Sequence, residues 1–127
     1  MENEYAIVLY LSLCFIHISQ FLRGYEDWYI DYVNNISLLE MLFDVILDIN
    51  MKVVKNALNK VGTDVDIVNI SDDLGTQRGL QVSPEFFRRL IKPRFKKYFD
   101  LVHEFSPNLK LLFHSCDSIE PILSDFN

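Results

Sequence analysis

Three short apolar segments alternate along this chain with longer stretches of helical periodicity, and this alternation limits the possible folds more than any other feature. The apolar segments are residues 6–13, 65–70 and 109–113. Continuous apolar runs of this length are typical of strands in a parallel sheet that is covered on both faces. Helices between parallel strands serve as right-handed crossovers. The sequence therefore predicts an α/β fold with about three parallel strands and intervening helices.

Two helices are predicted between the first two strands. Aromatic residues at helical intervals predict a short helix over residues 25–33. Ser37 is predicted to be the N-cap of a long amphipathic helix, because Glu40 follows it by three residues and completes a capping box. Gly62 is predicted to end that helix as its C′ residue.

Similar signals follow the second strand. A polar loop over residues 71–81 leads to Ser83 and Pro84, which predict an N-cap and the first position of a helix. Pro93 is expected to kink or break this helix, because proline lacks a backbone N–H. A last helix is predicted to start near Ser118.

The predicted sheet is open, since three parallel strands leave two unpaired edges. The sequence also ends within the last predicted helix. We therefore expect either an arc of a larger barrel or a subunit that completes its sheet by self-association as a homo-oligomer.

Composition narrows the class of protein. A hydrophobic content of 50% argues against disorder, and a net charge of −6 argues against binding to nucleic acid or an anionic membrane. The basic run over residues 88–97 is interpreted as a solvated helix face. Cys14 and Cys116 fit no disulfide framework, which predicts a reducing, cytoplasmic location. The apolar stretch 5–18 is predicted to be a buried strand that runs into a loop, with a signal peptide as the alternative.

Functional groups in α/β folds collect at the carboxyl ends of the strands. The residues that follow the three predicted strands are Cys14, Phe15 and His17; Ser71, Asp72, Asp73, Gln77 and Arg78; and His114, Ser115, Cys116 and Asp117. Of the histidines, His17 and His103 are predicted to be structural. For His103 the reason is its position late in a helix, where an imidazolium favours the helix dipole.

His114 and Cys116 are the most specific pair in this set. Residues two apart in an extended segment point to the same face, so the two side chains should project together. Imidazole nitrogen and thiolate sulfur are preferred zinc donors, but catalytic zinc usually has three protein ligands. Taken alone, the pair is also compatible with a packed histidine and an ordinary buried cysteine.

Asp72 and Asp73 are adjacent, so their carboxylates should face opposite ways, with only one directed into a site. That carboxylate could orient a ligand or accept a proton. The alternative is that one aspartate caps a turn in the Asp-Leu-Gly loop.

Three segments in the same order resemble the uroporphyrinogen decarboxylase superfamily. They are FLRGYED (residues 21–27), ISDDLGTQRGLQVSPEFFRRLIKPRFKK (residues 70–97) and LFHSCDSI (residues 112–119). The resemblance covers nearly the whole chain and implies a (β/α)8 barrel of roughly 300 or more residues. Residues 1–127 would then be a central fragment of such a barrel domain.

The superfamily includes cofactor-independent decarboxylases of uroporphyrinogen and zinc-dependent methyltransferases that act between a corrinoid and a thiol such as coenzyme M. Three features of this chain depart from the decarboxylase pattern. Gln20 stands where decarboxylases have tyrosine, and Asp73 stands where they have serine. The His114-x-Cys116 pattern, used for zinc by the methyltransferases, is the third.

The resemblance implies a site as well as a branch. Asp72, Asp73 and Gln77 would line the barrel mouth as catalytic residues, and His114 and Cys116 would hold zinc. The partners implied are a corrinoid protein as methyl donor and a small-molecule thiol, or a tetrapyrrole-type ligand if the chain is a decarboxylase.

Two features bear on zinc binding by this chain itself. The third zinc-binding cysteine of the methyltransferases would lie beyond Asn127, and Asp117 replaces the glycine that usually follows Cys116. We therefore expect zinc affinity to be weak or absent unless another chain supplies a donor. Besides methyl transfer, uroporphyrinogen decarboxylation and an inactive, oligomerising remnant remain alternatives.

Overall fold

A three-stranded parallel sheet organises the computed structural model, which describes residues 5–61 and 63–127. The strands, in chain order, are β1 (Val8–Leu11), β2 (Ile67–Ser71), β3 (Gly75–Thr76), β4 (Gly79–Leu80) and β5 (Lys110–His114). Strands β1, β2 and β5 are parallel neighbours in that order, whereas β3 and β4 form a small antiparallel hairpin. The predicted α/β fold with three parallel strands is confirmed, as an open partial barrel in the described part of the chain.

Helices connect the strands as predicted in order, although not in every detail. They are α1 (Ile16–Arg23), α2 (Tyr25–Asn34), α3 (Ile36–Val61), α4 (Pro84–Phe86) and α5 (Lys92–Phe105). A π-helical turn (Phe87–Ile91) joins α4 to α5, and a 3-10 helix (Glu120–Phe126) stands where the last helix was predicted near Ser118. No helix in the described ranges is long and apolar enough to cross a membrane.

The local capping predictions had mixed outcomes. The Ser83 hydroxyl accepts the backbone N–H of Phe86 at 3.1 Å, which confirms the predicted N-cap. The predicted Ser37 cap is wrong: α3 already begins at Ile36, so Ser37 lies within its first turn. The predicted C′ residue Gly62 lies outside the described residues.

Pro93 disturbs its helix as expected. The π-helical turn ends just before it, and the backbone N–H of Lys92 donates to the carbonyl of Phe87, five residues back, where an α-helix would use four. Because Pro93 has no N–H of its own, a wider turn before it is a way to enter α5.

Helix α1 was not predicted, since residues 5–18 were expected to form a strand and a loop. Its N-terminus is capped by Asp72, whose carboxylate accepts the backbone N–H groups of Phe15, Ile16 and His17 at 2.7, 2.9 and 3.2 Å. A cap supplied from 55 to 57 residues away leaves no signal in the local sequence.

One face of the sheet packs against the helices and forms the core. Phe15, which follows β1, is fully buried, stacks on Tyr98 at 5.2 Å and meets Phe95 edge to face. The other face is open, with Tyr10 62% exposed and Leu112 49% exposed. The apolar strands are therefore covered on one face in the described residues, where the sequence predicted two.

The basic run over residues 88–97 is largely the solvated face that was predicted. Arg88 and Lys92 are exposed and pair with Asp125. Arg94 is the exception: it is buried and donates to the Asp44 carboxylate and to a backbone carbonyl.

Candidate metal centre

The carboxyl ends of β2 and β5 bring together three side chains of types that can bind a metal. Asp73 lies two residues past β2, His114 ends β5, and Cys116 follows two residues later. One donor atom from each of the three lies within 4.8 Å of the other two. The Cys116 Sγ lies 3.4 Å from the His114 Nε2, so these two side chains do project together. Both are exposed, and Asp73 is partly buried.

Asp73 is held in place from two directions. Its Oδ1 accepts the backbone N–H of Cys116 at 3.2 Å, and its Oδ2 lies 3.5 Å from the Nδ1 of His17. His17 belongs to the first turn of α1. It was predicted to be structural, which stays a prediction, and the structure places it beside the candidate ligands. The sequence did not reveal this contact because it did not predict α1, the helix that brings His17 to the end of β2.

Asp72 and Asp73, although adjacent, lie in different surroundings: Asp72 is buried and Asp73 is partly buried. The side chain of Asp72 points into the protein, where it is 1% exposed and caps α1. Burial raises the pKa of Asp72 to about 6, and the three backbone N–H groups that it accepts oppose that rise. The alternative was that one aspartate caps a turn in the Asp-Leu-Gly loop, whereas the hydrogen bonds that Asp72 accepts come from the start of the distant helix α1.

The electrostatics of the site disfavour a free thiolate. The Asp73 carboxylate, which accepts a hydrogen bond from the thiol and lies close to it, raises the pKa of Cys116. Partial burial acts to raise the pKa of Asp73, but its hydrogen bonds with Cys116 and the positive potential of His17 and His114 outweigh this and lower it. The pKa of Cys116 is therefore raised, whereas a cysteine nucleophile has a depressed pKa. A cation would stabilise the thiolate and carboxylate together.

Two clefts meet at His17 and Asp73. The first, of about 250 Å³, lies on the open side of the sheet and is lined by Tyr10, Ser12, Cys14, His17, Ser71, Asp72, Asp73, His114 and Cys116. The second, of about 410 Å³, is lined by His17, Tyr25, Tyr29, Asp73, Gly75, Thr76, Gln77, Gln81 and Asp117. A larger cleft of about 750 Å³ lies at the amino ends of the strands, away from these groups. In parallel sheets the carboxyl ends are the functional side, so the two smaller clefts are the candidates for ligand binding.

Gln77 lies apart from the three candidate ligands, exposed at the tip of the β3–β4 hairpin on the second cleft. Gln81, which the sequence did not single out, is closer to them. Its side-chain N–H donates to the backbone carbonyl of Asp73 at 2.8 Å, and its Oε1 accepts from Tyr29 and Gln20 at 3.0 and 2.9 Å. Gln81 therefore supports the backbone that carries Asp73.

The remaining predicted residues support the site or lie outside it. Ser115 accepts the backbone N–H of Leu74 through its hydroxyl at 3.0 Å. Cys14 and Ser71 are buried below the first cleft, and burial raises the pKa of the Cys14 thiol. Arg78 is exposed on the hairpin. His103 is exposed in the last turn of α5, the position that its structural role predicted.

Comparison with known proteins identifies the family. A family model described as uroporphyrinogen decarboxylase (URO-D) matches residues 15–127, which include every side chain of the candidate metal centre. The chain belongs to the uroporphyrinogen decarboxylase family. No curated protein and no solved structure gives a significant match. The predicted superfamily is confirmed, and its methyltransferase-like branch stays a prediction.

This uroporphyrinogen decarboxylase family member has an unusual backbone conformation at Asp117, the position that departs from the expected family pattern. Asp117 stands where the resemblance implied glycine, and its φ of 65° lies in the left-handed region. This conformation suits glycine and is strained for most residues with a side chain, although aspartate tolerates it better than most. The backbone after Cys116 therefore keeps a glycine-like turn. Gly75 packs against that turn, since a Cβ there would lie 2.9 Å from the backbone of Ser118.

Proposed function

We propose that this chain carries the zinc-binding part of a methyltransferase that moves a methyl group from a corrinoid to a small-molecule thiol, with His114 and Cys116 as metal ligands. The observation that carries the proposal is the 3.4 Å approach of the Cys116 Sγ to the His114 Nε2 at the carboxyl end of the sheet. Membership of the family is compatible with this proposal, but the family model is described as uroporphyrinogen decarboxylase, so membership does not select methyl transfer.

The donor set fits zinc, because imidazole and thiolate are among the ligands that zinc prefers. Zinc bound there would lower the pKa of a coordinated substrate thiol and so supply a thiolate near neutral pH. In the transfer itself, the thiol sulfur bonds to the methyl carbon as the carbon–cobalt bond breaks. The electron pair of that bond stays with the corrinoid, and the thiol proton is released to water.

The protein's own residues shape the place where the thiol would bind. His114 and Cys116 lie on the 250 Å³ cleft at the open face of the sheet. Asp73 and His17 lie where this cleft meets the 410 Å³ cleft, so a thiol at the metal could extend its chain toward Tyr25 and Tyr29. Because His114 and Cys116 are both exposed, a thiol could reach a metal that is bound to them.

Decarboxylation of uroporphyrinogen is the second candidate, and it rests on family membership. At the two positions where the resemblance implied tyrosine and serine for decarboxylases, this chain has Gln20 and Asp73. Gln20 is buried and bonded to Gln81, and Asp73 lies among the candidate ligands. The lack of both decarboxylase side chains argues against decarboxylation, and the place of Asp73 among the candidate ligands favours methyl transfer.

A parallel assay separates the two candidates. The zinc-loaded protein and a His114→Ala variant are each incubated with methylcobalamin plus coenzyme M, and separately with uroporphyrinogen. Methylation of the thiol by the first protein alone is the expected result. Metal-independent conversion of uroporphyrinogen would support decarboxylation, and no reaction with either substrate would contradict both activities for this chain.

A further inference from the structure

We propose that Asp73 is the third protein ligand of the metal, so that Asp73, His114 and Cys116 form a three-donor zinc site within one chain. The inference rests on the proposed zinc site, but not on methyl transfer. It changes the expectation that zinc binding needs a donor from beyond Asn127 or from another chain. The sequence pointed to Asp73 only as a candidate catalytic residue.

Proximity is the first support. One carboxylate oxygen of Asp73, one ring nitrogen of His114 and the sulfur of Cys116 lie within 4.8 Å of one another. Zinc bonds of about 2.0–2.3 Å place two ligand atoms of one ion some 3–4 Å apart. The three side chains thus need only small adjustments to share an ion.

Hydrogen bonds between the two segments hold the donors together without a metal. Three hydrogen bonds join the segment around Asp73 to the segment that carries His114 and Cys116. They run from the Asp72 N–H to the His114 carbonyl at 3.1 Å, from the Leu74 N–H to the Ser115 hydroxyl at 3.0 Å, and from the Cys116 N–H to the Asp73 Oδ1 at 3.2 Å. A donor set that is ordered before the ion arrives loses less entropy when it binds.

The chemistry of the set points to zinc rather than to a harder ion. One carboxylate, one imidazole and one thiolate are all ordinary zinc ligands, whereas Mg²⁺ and Ca²⁺ prefer oxygen alone. Three protein ligands with a fourth position open to solvent are also the usual composition of a catalytic zinc site. The thiol of a substrate would occupy that fourth position.

His17 is assigned the role of a positioning residue. Its Nδ1 lies 3.5 Å from the Asp73 Oδ2, while the Asp73 Oδ1 faces Cys116. A group that orients a ligating carboxylate in this way typically changes metal affinity by about 10- to 100-fold when it is removed. Removal of the ligand Asp73 should therefore reduce metal affinity more than removal of the positioning residue His17.

The competing explanation is that Asp73 only accepts the N–H of Cys116 and so shapes the loop. Asp73→Asn distinguishes the two roles, because asparagine keeps an oxygen acceptor and nearly the same volume but has no carboxylate. Asp117→Asn is the matched control. Asp117 is an exposed aspartate next to Cys116 that is outside the donor set, and asparagine tolerates its positive φ.

The experiment is a titration of the full 127-residue chain with Zn²⁺ in competition with a chromophoric chelator, and with Co²⁺ followed by absorbance. We expect one ion per chain in the unchanged protein and a thiolate-to-cobalt charge-transfer band that Cys116→Ser removes. Asp73→Asn should weaken Zn²⁺ binding by more than about 100-fold and His17→Gln by about 10- to 100-fold. Asp117→Asn should change it by no more than about fivefold, as for an exposed charge.

Equal Zn²⁺ affinity in Asp73→Asn and the unchanged protein would overturn the assignment. So would an equal loss in Asp73→Asn and Asp117→Asn, because that result reports charge and not ligation. Melting curves of the metal-free variants show whether each still folds, and the cobalt spectrum of Asp73→Asn reports coordination independently of affinity.

The outcome also separates this inference from the proposed function. Zinc binding that depends on Asp73, without methyl transfer to coenzyme M, keeps the ligand assignment and removes the activity. Methyl transfer that persists in Asp73→Asn removes the ligand assignment and keeps the activity. An unchanged protein that binds no zinc contradicts both.

Discussion

The Asp72 carboxylate accepts the backbone N–H of Ile16 at 2.9 Å across 56 residues of sequence. With the neighbouring N–H groups of Phe15 and His17, it ties the start of α1 to the end of β2. This tie also sets where His17 meets Asp73. The fold and the candidate site therefore depend on the same carboxylate.

Replacement of Asp72 by alanine should destabilise the protein more than replacement of a local cap. It leaves three backbone donors without their acceptor in a buried place, at an expected cost of about 2–3 kcal/mol in the free energy of unfolding. Ser83→Ala, which removes one cap bond at the start of α4, should cost about 1 kcal/mol. Urea denaturation of both variants at pH 7 measures the difference, and equal losses would contradict the role given to Asp72.

The pKa of Asp72 predicts a specific pH dependence. Because its pKa in the folded protein is about 6, above the ordinary 3.8, the folded state holds the proton more tightly than the unfolded state. Its contribution to stability is therefore complete below pH 3.8 and is lost as the pH rises through about 6, by on the order of 3 kcal/mol.

Asp72→Asn isolates this contribution, since other carboxylates titrate in the same range. The free energy of unfolding is measured from pH 3.5 to 7.5 in the presence of a chelator for both proteins. We expect the free energy of unfolding of the unchanged protein, relative to that of the variant, to fall as the pH rises between about 4 and 6. A difference that is constant with pH would show that Asp72 has no raised pKa.

Asp117→Gly should stabilise the fold. The residue has a φ of 65°, and glycine removes the strain of a side chain in that region. Part of this gain is offset by the greater flexibility of glycine in the unfolded chain, so we expect about 0.5–1 kcal/mol. The melting midpoint measures it, with Asp117→Ala, which should destabilise, as the comparison.

The open face of the sheet should promote self-association. Val8, Tyr10 and Leu112 are 49%, 62% and 49% exposed there, and within the described residues β1 and β5 each pair on one side only. Exposed apolar surface beside unpaired strand edges favours contact with a second chain. Sedimentation equilibrium should show an oligomer that Val8→Lys weakens. A monomer at all concentrations would contradict the prediction that this chain forms an oligomer.

The features that were predictable from sequence are local ones. The strand order followed from apolar runs, and the start of α4 followed from Ser83 and Pro84, because each signal lies within a few residues of what it determines. The approach of His114 to Cys116 followed from the two-residue period of an extended chain. The Ser37 cap was wrong because a favourable capping pattern does not prevent a helix from starting two residues earlier.

The features that sequence did not reveal depend on contacts between distant segments. Helix α1 is capped from β2, and His17 reaches Asp73 only because α1 exists. The side chain of Gln81 donates a hydrogen bond to the backbone carbonyl of Asp73. The spacing of these two residues in the sequence does not suggest this contact. In a parallel sheet such meetings are decided by crossover geometry, which pairs residues that no local pattern connects.

The zinc content of the protein tests the metal centre most directly. Mass spectrometry after zinc loading and removal of free metal is compared between the unchanged chain and His114→Ala. We predict close to one zinc per chain in the first and a large loss in the second, because the His114 Nε2 lies in the donor set. Equal zinc in both proteins, or none in the unchanged chain, would contradict the assignment.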